Sequence, residues 1–186
     1  MRVLFIGCVR SSELFLNKLL QMKADIVGVV TKAEAGINAD FVDIGQICEK
    51  HQLDYIYVKN INEPESRTYI QQKKPDLILC LGWSQLLDEE ILKIPAEGCI
   101  GFHPAKLPYN RGRHPLIWAL ALGLESTAST FFYMDAHADT GEIVSQRELP
   151  ISYEDDAASL YHKVMNVAVD QLEEIVGSIL LIEYRN

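Results

Sequence analysis

Val3-Leu-Phe-Ile-Gly7, an unbroken apolar run that stops at a glycine, is followed by Ser11-Ser12 as candidate helix caps and then by Leu14, Phe15, Leu19 and Leu20 at helical spacing. A run apolar on both faces, a turn and an amphipathic stretch read as strand, turn and helix. Outward from there the alternation repeats. Ile26 to Thr31 is a second strand, Lys32 to Asp40 a small polar loop, and Asp43 to His51 a helix. Tyr55 to Val58 is a short strand, Pro64 to Lys73 a helix with Asn62 near its cap, and Asp76 to Leu81 another strand. Fully apolar strands separated by helices require crossovers. The fold class is therefore α/β: a Rossmann-like, mostly parallel sheet with helices on both faces.

The later half continues with a strand at Cys99 to Phe102, a proline-rich basic loop from His103 to Pro115 and a helix at Leu116 to Leu122. Two strands follow, Thr127 to Met134 and Ile143 to Pro150, and Asp155 or Asp156 caps a last long helix. No repeat or linker interrupts the chain. With 186 residues it is expected to form a single domain over residues 1–186.

Hydrophobic residues make up 48% and charged residues 23%, outside the composition of disordered chains, and the formal net charge is −9. A field of that sign repels phosphate backbones and anionic lipid, so neither nucleic acid nor membrane is expected as a partner. Cys8, Cys48, Cys80 and Cys99 have no CxxC spacing and three lie in apolar runs, which suits buried free thiols. The apolar run at the N-terminus is too short for a signal-peptide core or a membrane span. A cytoplasmic location is expected.

In such sheets ligands bind beyond the carboxyl ends of the strands, which directs attention to Gly7–Ser12, Leu81–Leu87 and the segment after Ile100. The first turn lacks the second and third glycines of a dinucleotide fingerprint, so no NAD(P) site is expected. Arg10, Ser11 and the helix N-terminus suit a phosphate or serve simply as a cap. His103 stands where a buried strand meets its loop. A carboxylate such as Asp139 beside that imidazole would orient it and let it work as acid or base near neutrality. Lys106, Arg111, Arg113 and His114 make the following loop a cationic patch in an acidic protein. His103, His137 and Asp139 also have the residue types of a metal site, but not its helical spacing, and no metal is expected.

Gly101-Phe-His-Pro-Ala-Lys-Leu-Pro-Tyr-Asn-Arg-Gly-Arg-His-Pro115, followed by Met134-Asp-Ala-His-Ala-Asp-Thr-Gly141, resembles the formyltransferase catalytic domain. Gly82-Trp-Ser-Gln-Leu86 and Asn110 to Trp118 are most similar to nucleotide-sugar N-formyltransferases of the pseudaminic acid precursor type. The resemblance covers nearly the whole chain. It implies transfer of a formyl group from the cosubstrate 10-formyltetrahydrofolate to the amine of a nucleotide-linked amino sugar, such as a UDP-4-amino-4,6-dideoxy sugar. His103 is then the acid–base and oxyanion-stabilising group, and Asp139 orients it and relays the proton. Ser84, Gln85, Leu86 and Leu87, with Asp135, Ala136, His137 and Ala138, line the pterin pocket. Arg10, Ser11, Lys106, Tyr109, Asn110, Arg111 and Arg113 meet the nucleotide sugar, and Leu107-Pro108 falls where a cis peptide is expected.

One position departs from the family pattern. Asparagine usually stands two residues before the histidine and hydrogen-bonds the formyl oxygen, whereas this chain has Gly101. Loss of one oxyanion donor costs on the order of 10²–10³ in rate elsewhere. Either Asn110, Ser84 or a backbone amide replaces it, or His103 acts alone, or catalysis is lost. Methionyl-tRNA formyltransferases carry an additional C-terminal tRNA-holding domain, and this chain ends soon after its last helix, which favours the sugar acceptor. A formyltetrahydrofolate hydrolase and a non-catalytic folate- or nucleotide-sugar-binding module are the alternatives. Ile179 to Tyr184 reads as a helix tail packed on the partner of a homodimer or as the edge of a further region.

Overall fold

The computed structural model describes residues 1–34 and 39–183, without the side chains of 180–183. The middle of the predicted loop Lys32–Asp40 and the end of the predicted apolar tail Ile179–Tyr184 lie outside the described residues. Seven strands occur in the order β3-β2-β1-β4-β5-β6-β7, and the chain divides into two compact units, Met1–Ile100 and Gly101–Asn186.

The first unit holds β1 (Arg2–Ile6), α1 (Arg10–Gln21), β2 (Asp25–Thr31), α2 (Ile44–His51), β3 (Tyr55–Tyr57), α3 (Pro64–Lys73), β4 (Leu77–Cys80) and the single-turn α4 (Glu89–Leu92). β1 pairs in parallel with both β2 and β4, and β2 with β3. Leu4, Phe5, Ile6 and all of β4 are buried, as strands covered on both faces must be. The chain steps from β1 to β2 to β3 and then returns to the far side of β1 for β4. Right-handed crossovers consequently place α1 and α2 on one face and α3 on the other. β2 accordingly touches both α2 and α3.

α3 runs Pro64–Lys73 as expected, but the caps of α1 and α3 differ from the predicted ones. Val9, not Ser11 or Ser12, is the N-cap residue of α1, and the buried Ser12 reaches back so that its Oγ accepts from the Val9 amide at 3.1 Å and donates to the Leu81 carbonyl at 2.7 Å. A Cβ on Gly7 would lie 2.5 Å from that same carbonyl and from Ser12 Oγ, so glycine is required there by close approach. The residue before α3 is Glu63, with Pro64 in the first turn. Asn62 instead accepts from the Asp88 amide and donates to the Leu86 carbonyl. α4 has no counterpart in the predicted elements, because a single turn is too short to show a period.

The second unit takes in the end of β5 (Cys99–His103), followed by α5 (Pro115–Ala121), β6 (Ser126–Tyr133), β7 (Ile143–Pro150) and α6 (Ala157–Glu183). β6 and β7 are antiparallel, with Thr130 opposite Gln146. α6 covers them, and Leu149, Leu160 and Val164 form a core with Phe102, Leu116, Leu120, Ile151 and Val167. Asp156 caps α6 as predicted: its carboxylate accepts from the Ser159 amide, and Ser159 Oγ accepts from the Asp156 amide. Among the described residues no helix is long and apolar enough to cross a membrane.

All four cysteines are free and buried. Burial is the largest cause raising each thiol, Cys8 to about 11, Cys48 and Cys99 to about 12, and Cys80 further. At about pH 8 the folded protein is expected to be inert to a thiol-disulfide reagent that titrates ordinary thiols of pKa ~8.5. All four should react once guanidinium unfolds the chain, and rapid labelling of the native protein would contradict this packing.

Candidate active site

His103 closes β5, and its buried ring is held within the second unit. Nε2 lies 2.8 Å from the Asn110 carbonyl oxygen, and Nδ1 is 3.8 Å from Asp139 Oδ2. The two residues singled out for acid–base work are therefore neighbours. At 3.8 Å the contact is longer than a hydrogen bond. Asp139 Oδ2 also accepts from the Gly112 amide at 3.0 Å.

The loop that carries Asn110 and Gly112 hangs from β6 and β7. Thr130 Oγ1 donates to the Ala105 carbonyl at 2.7 Å, while Gln146 Nε2 lies 3.0 Å from both the Leu107 carbonyl and Thr130 Oγ1. Thr127 adds a longer bond to the Pro104 carbonyl. The Leu107-Pro108 peptide is cis, as the resemblance implies. Sequence reasoning missed Thr130 and Gln146. Their signal was weak: polar side chains at facing positions of two strands, one of them fully buried.

Gly101 is not a vacancy. A Cβ built there would lie 3.1 Å from Met134 Cγ and Phe132 Cζ and 3.3 Å from Met134 Sδ. Thioether and aromatic atoms occupy the space beside the glycine, where the resemblance implies a hydrogen-bond donor. Asn110, one of the candidate substitutes, meets His103 through its backbone carbonyl.

The other expected residues fall into two groups. In the second unit, Asp135 Oδ1 accepts from Thr140 Oγ1 at 2.6 Å and from the His137 amide at 2.9 Å, which folds residues 135–140 on themselves. Chiefly the Thr140 hydrogen bond, then that from His137, holds the Asp135 carboxyl below its ordinary value. Ala136, His137 and Ala138 are exposed along this loop. Tyr109, Arg111 and Arg113 are exposed too. Lys106 is committed elsewhere, since its Nζ pairs with Glu148 at 2.8 Å. The cationic patch is thus smaller than the sequence suggests. No cluster of His, Cys, Asp and Glu among the described residues suits a metal.

In the first unit Arg10 is exposed, while its amide donates to the Asp40 carbonyl. Ser11 is half-buried beside it. Gln85 uses its side chain internally, accepting from the Ile61 amide and donating to the Lys59 carbonyl. Ser84 and Leu86 are exposed and Leu87 is buried. Lys32 Nζ sits 4.9 Å above the Trp83 ring. Beside it a cavity of about 330 Å³ opens at the ends of β2 and β3, lined by Lys32, Tyr57 and Lys59 among others.

Residues 1–176 match the family model described as formyl transferase. Methionyl-tRNA formyltransferase of Geobacter sulfurreducens is 30% identical over 184 residues, which are 97% of this chain and 58% of that protein. The chain thus spans less than two thirds of the length of the curated relatives it matches. Among solved structures, phosphoribosylglycinamide formyltransferase from Bacillus halodurans superposes with a TM-score of 0.84 at 20% identity, covering 97% of this chain and 95% of that one. A sugar N-formyltransferase from a Shewanella species gives 0.74 at 22% identity, covering 98% of this chain and 71% of that one. At these identities the two structures show a shared fold.

Two outcomes test the geometry. Gly101→Asn is expected to destabilise by about 1–3 kcal/mol, as overpacked sites do, and Met134→Ala in the same chain should relieve part of that cost in a denaturant double-mutant cycle. Strict additivity would show that the two positions do not compete for space. Thr140→Val should raise the Asp135 carboxyl toward its ordinary ~3.9, read by carboxylate carbon shifts. Because the folded value is lowered, the stabilisation from this group is present above the ordinary value and fades as pH falls through the lowered one.

Proposed function

The chain belongs to the formyl transferase family, whose members use formyl-tetrahydrofolate as cosubstrate, and from that premise we propose that it transfers a formyl group from 10-formyltetrahydrofolate to the amine of a nucleotide-linked amino sugar. The observation that carries the reading is the pairing of a buried strand-end histidine with Asp139. In the reaction the amine nitrogen attacks the formyl carbon, and the carbonyl electron pair moves onto oxygen. The amine proton passes to the His103 imidazole, the oxyanion collapses, and the bond from formyl carbon to the folate nitrogen breaks as that nitrogen takes a proton. The formamide and tetrahydrofolate leave.

His103 supplies the base and, once protonated, a positive charge for the oxyanion, while Asp139 stabilises the imidazolium. With Met134 and Phe132 filling the space at Gly101, more of that charge stabilisation falls to His103. Within the second unit, the backbone-rich loop from Asp135 to Asp139 is the surface expected to receive the pterin. For the nucleotide, the exposed Arg111 of the same unit supplies counter-charge. A UDP-4-amino-4,6-dideoxy sugar is the proposed acceptor type. The net charge of −9 supports a small anionic substrate held by local cations over a nucleic acid. Against it, relatives such as the Geobacter protein are named for methionyl-tRNA, so tRNA is the competing acceptor.

Formyl transfer should be followed by mass spectrometry with UDP-, dTDP- and GDP-linked 4-amino sugars, with initiator methionyl-tRNA and without any acceptor. Transfer to a nucleotide sugar is expected, and His103→Ala and Asp139→Ala should each lower kcat by about 10²–10⁴. Formylation of the tRNA alone would replace the acceptor. Formate release without an amine would make the protein a hydrolase. Equal background rates for wild type and His103→Ala would sink the enzyme reading altogether.

A further inference from the structure

We propose that the tripeptide Asn110-Arg111-Gly112 is a backbone clamp that fixes the tautomer of His103 and the aim of Asp139, leaving Nδ1 as the nitrogen that accepts the substrate proton. A carbonyl oxygen only accepts hydrogen bonds. The 2.8 Å contact between Asn110 O and Nε2 therefore keeps the proton of the neutral ring on Nε2. The lone pair is then on Nδ1, the nitrogen that faces Asp139. Two residues further along, the Gly112 amide donates to the same carboxylate oxygen that stands opposite Nδ1. One short segment thus grips both partners, the imidazole by a carbonyl and the carboxylate by an amide.

Both gripping residues have left-handed backbones, φ 56° at Asn110 and 96° at Gly112. Asparagine and glycine are the residues that adopt this region most readily, which explains these types at these two positions without any role for the Asn110 side chain. Asp139 is itself left-handed, with φ 56°. The consequence for chemistry is directional. Nε2 is withdrawn from proton transfer, and the route runs from substrate nitrogen to Nδ1 with Asp139 stabilising the cation formed there. Asn110 and Gly112 are positioning residues, since each acts through another group.

Gly112 gives an unusually clean probe. A Cβ added there meets no atom within 4 Å, so Gly112→Ala changes the backbone preference at φ 96° and nothing else nearby. Asn110→Gly keeps the left-handed conformation while removing the side chain, and Asn110→Val opposes that conformation with a β-branched residue.

The experiment has two arms. The first uses the ligand-free protein and needs no assumption about the reaction: nitrogen-15 shifts of the His103 ring, assigned by comparison with His103→Gln. Wild type and Asn110→Gly should show the Nε2–H tautomer, whereas Asn110→Val and Gly112→Ala should show a mixture. The second arm is formyl transfer and rests on the proposed function. Asn110→Val should lose about 10²-fold in kcat with little change in KM, the pattern of an interaction needed only in the transition state, and clearly more than Asn110→Gly loses.

Should Asn110→Val fail to fold, as judged by its circular dichroism and melting, Gly112→Ala carries both arms. Equal damage from Asn110→Gly and Asn110→Val would assign the effect to the side-chain amide and overturn the clamp. So would an Nδ1–H tautomer in wild type, or an unchanged tautomer in both Asn110→Val and Gly112→Ala. A clamp upheld by the spectra in a protein with no formyl transfer would leave the tautomer result standing and reject only the reaction.

Discussion

The hydrogen bond from Thr130 Oγ1 to the Ala105 carbonyl, made inside β6 where no water competes, is the constraint on which the candidate site rests. Gln146, directly across the ladder, extends it to Leu107. Together they hold the loop after His103 against two strands. That loop places Asn110 and Gly112, and these in turn hold His103 and Asp139. A chain of neutral hydrogen bonds thus carries rigidity from an antiparallel ladder to His103 and Asp139, and a slip of one residue in the β6–β7 register would turn Thr130 and Gln146 away from the loop.

Gly101 illustrates how a site changes without leaving a hole. The family pattern has a polar donor where this chain has no side chain, yet Met134 and Phe132 occupy the space. A cavity there would have forfeited contacts and admitted water, whereas a flexible thioether adapts to an irregular gap. The cost moves from stability to chemistry. In the proposed reaction fewer side-chain donors would face the developing oxyanion, and a cation formed on His103 would carry more of its stabilisation.

Electrostatics reshape the substrate argument in a similar way. The acidic balance is a property of composition, but local cation availability depends on pairing. Lys106, which looks unpaired in the sequence, is bound to Glu148, and Glu148 also accepts from Ser126. Arg111 remains at the surface, so the nucleotide reading leans on it.

Much of the fold was legible because its signals are local. Apolar runs of strand length, helical periodicity and prolines at loop positions gave the α/β alternation, and the strand-to-loop position of His103 with the downstream Asp139 singled out two residues that the fold places side by side. Helix caps were less legible, since Ser12 acts from within α1 and Asn62 serves the Leu86 to Asp88 segment. Tertiary structure alone decided which nitrogen of His103 is pinned, that Asn110 acts through its carbonyl, that Met134 fills the space at Gly101 and that Lys106 is neutralised. Each of these depends on strand register and loop path, which bring together atoms far apart in the chain. Periodicity and composition describe a residue's neighbours along the sequence and contain no record of those distances.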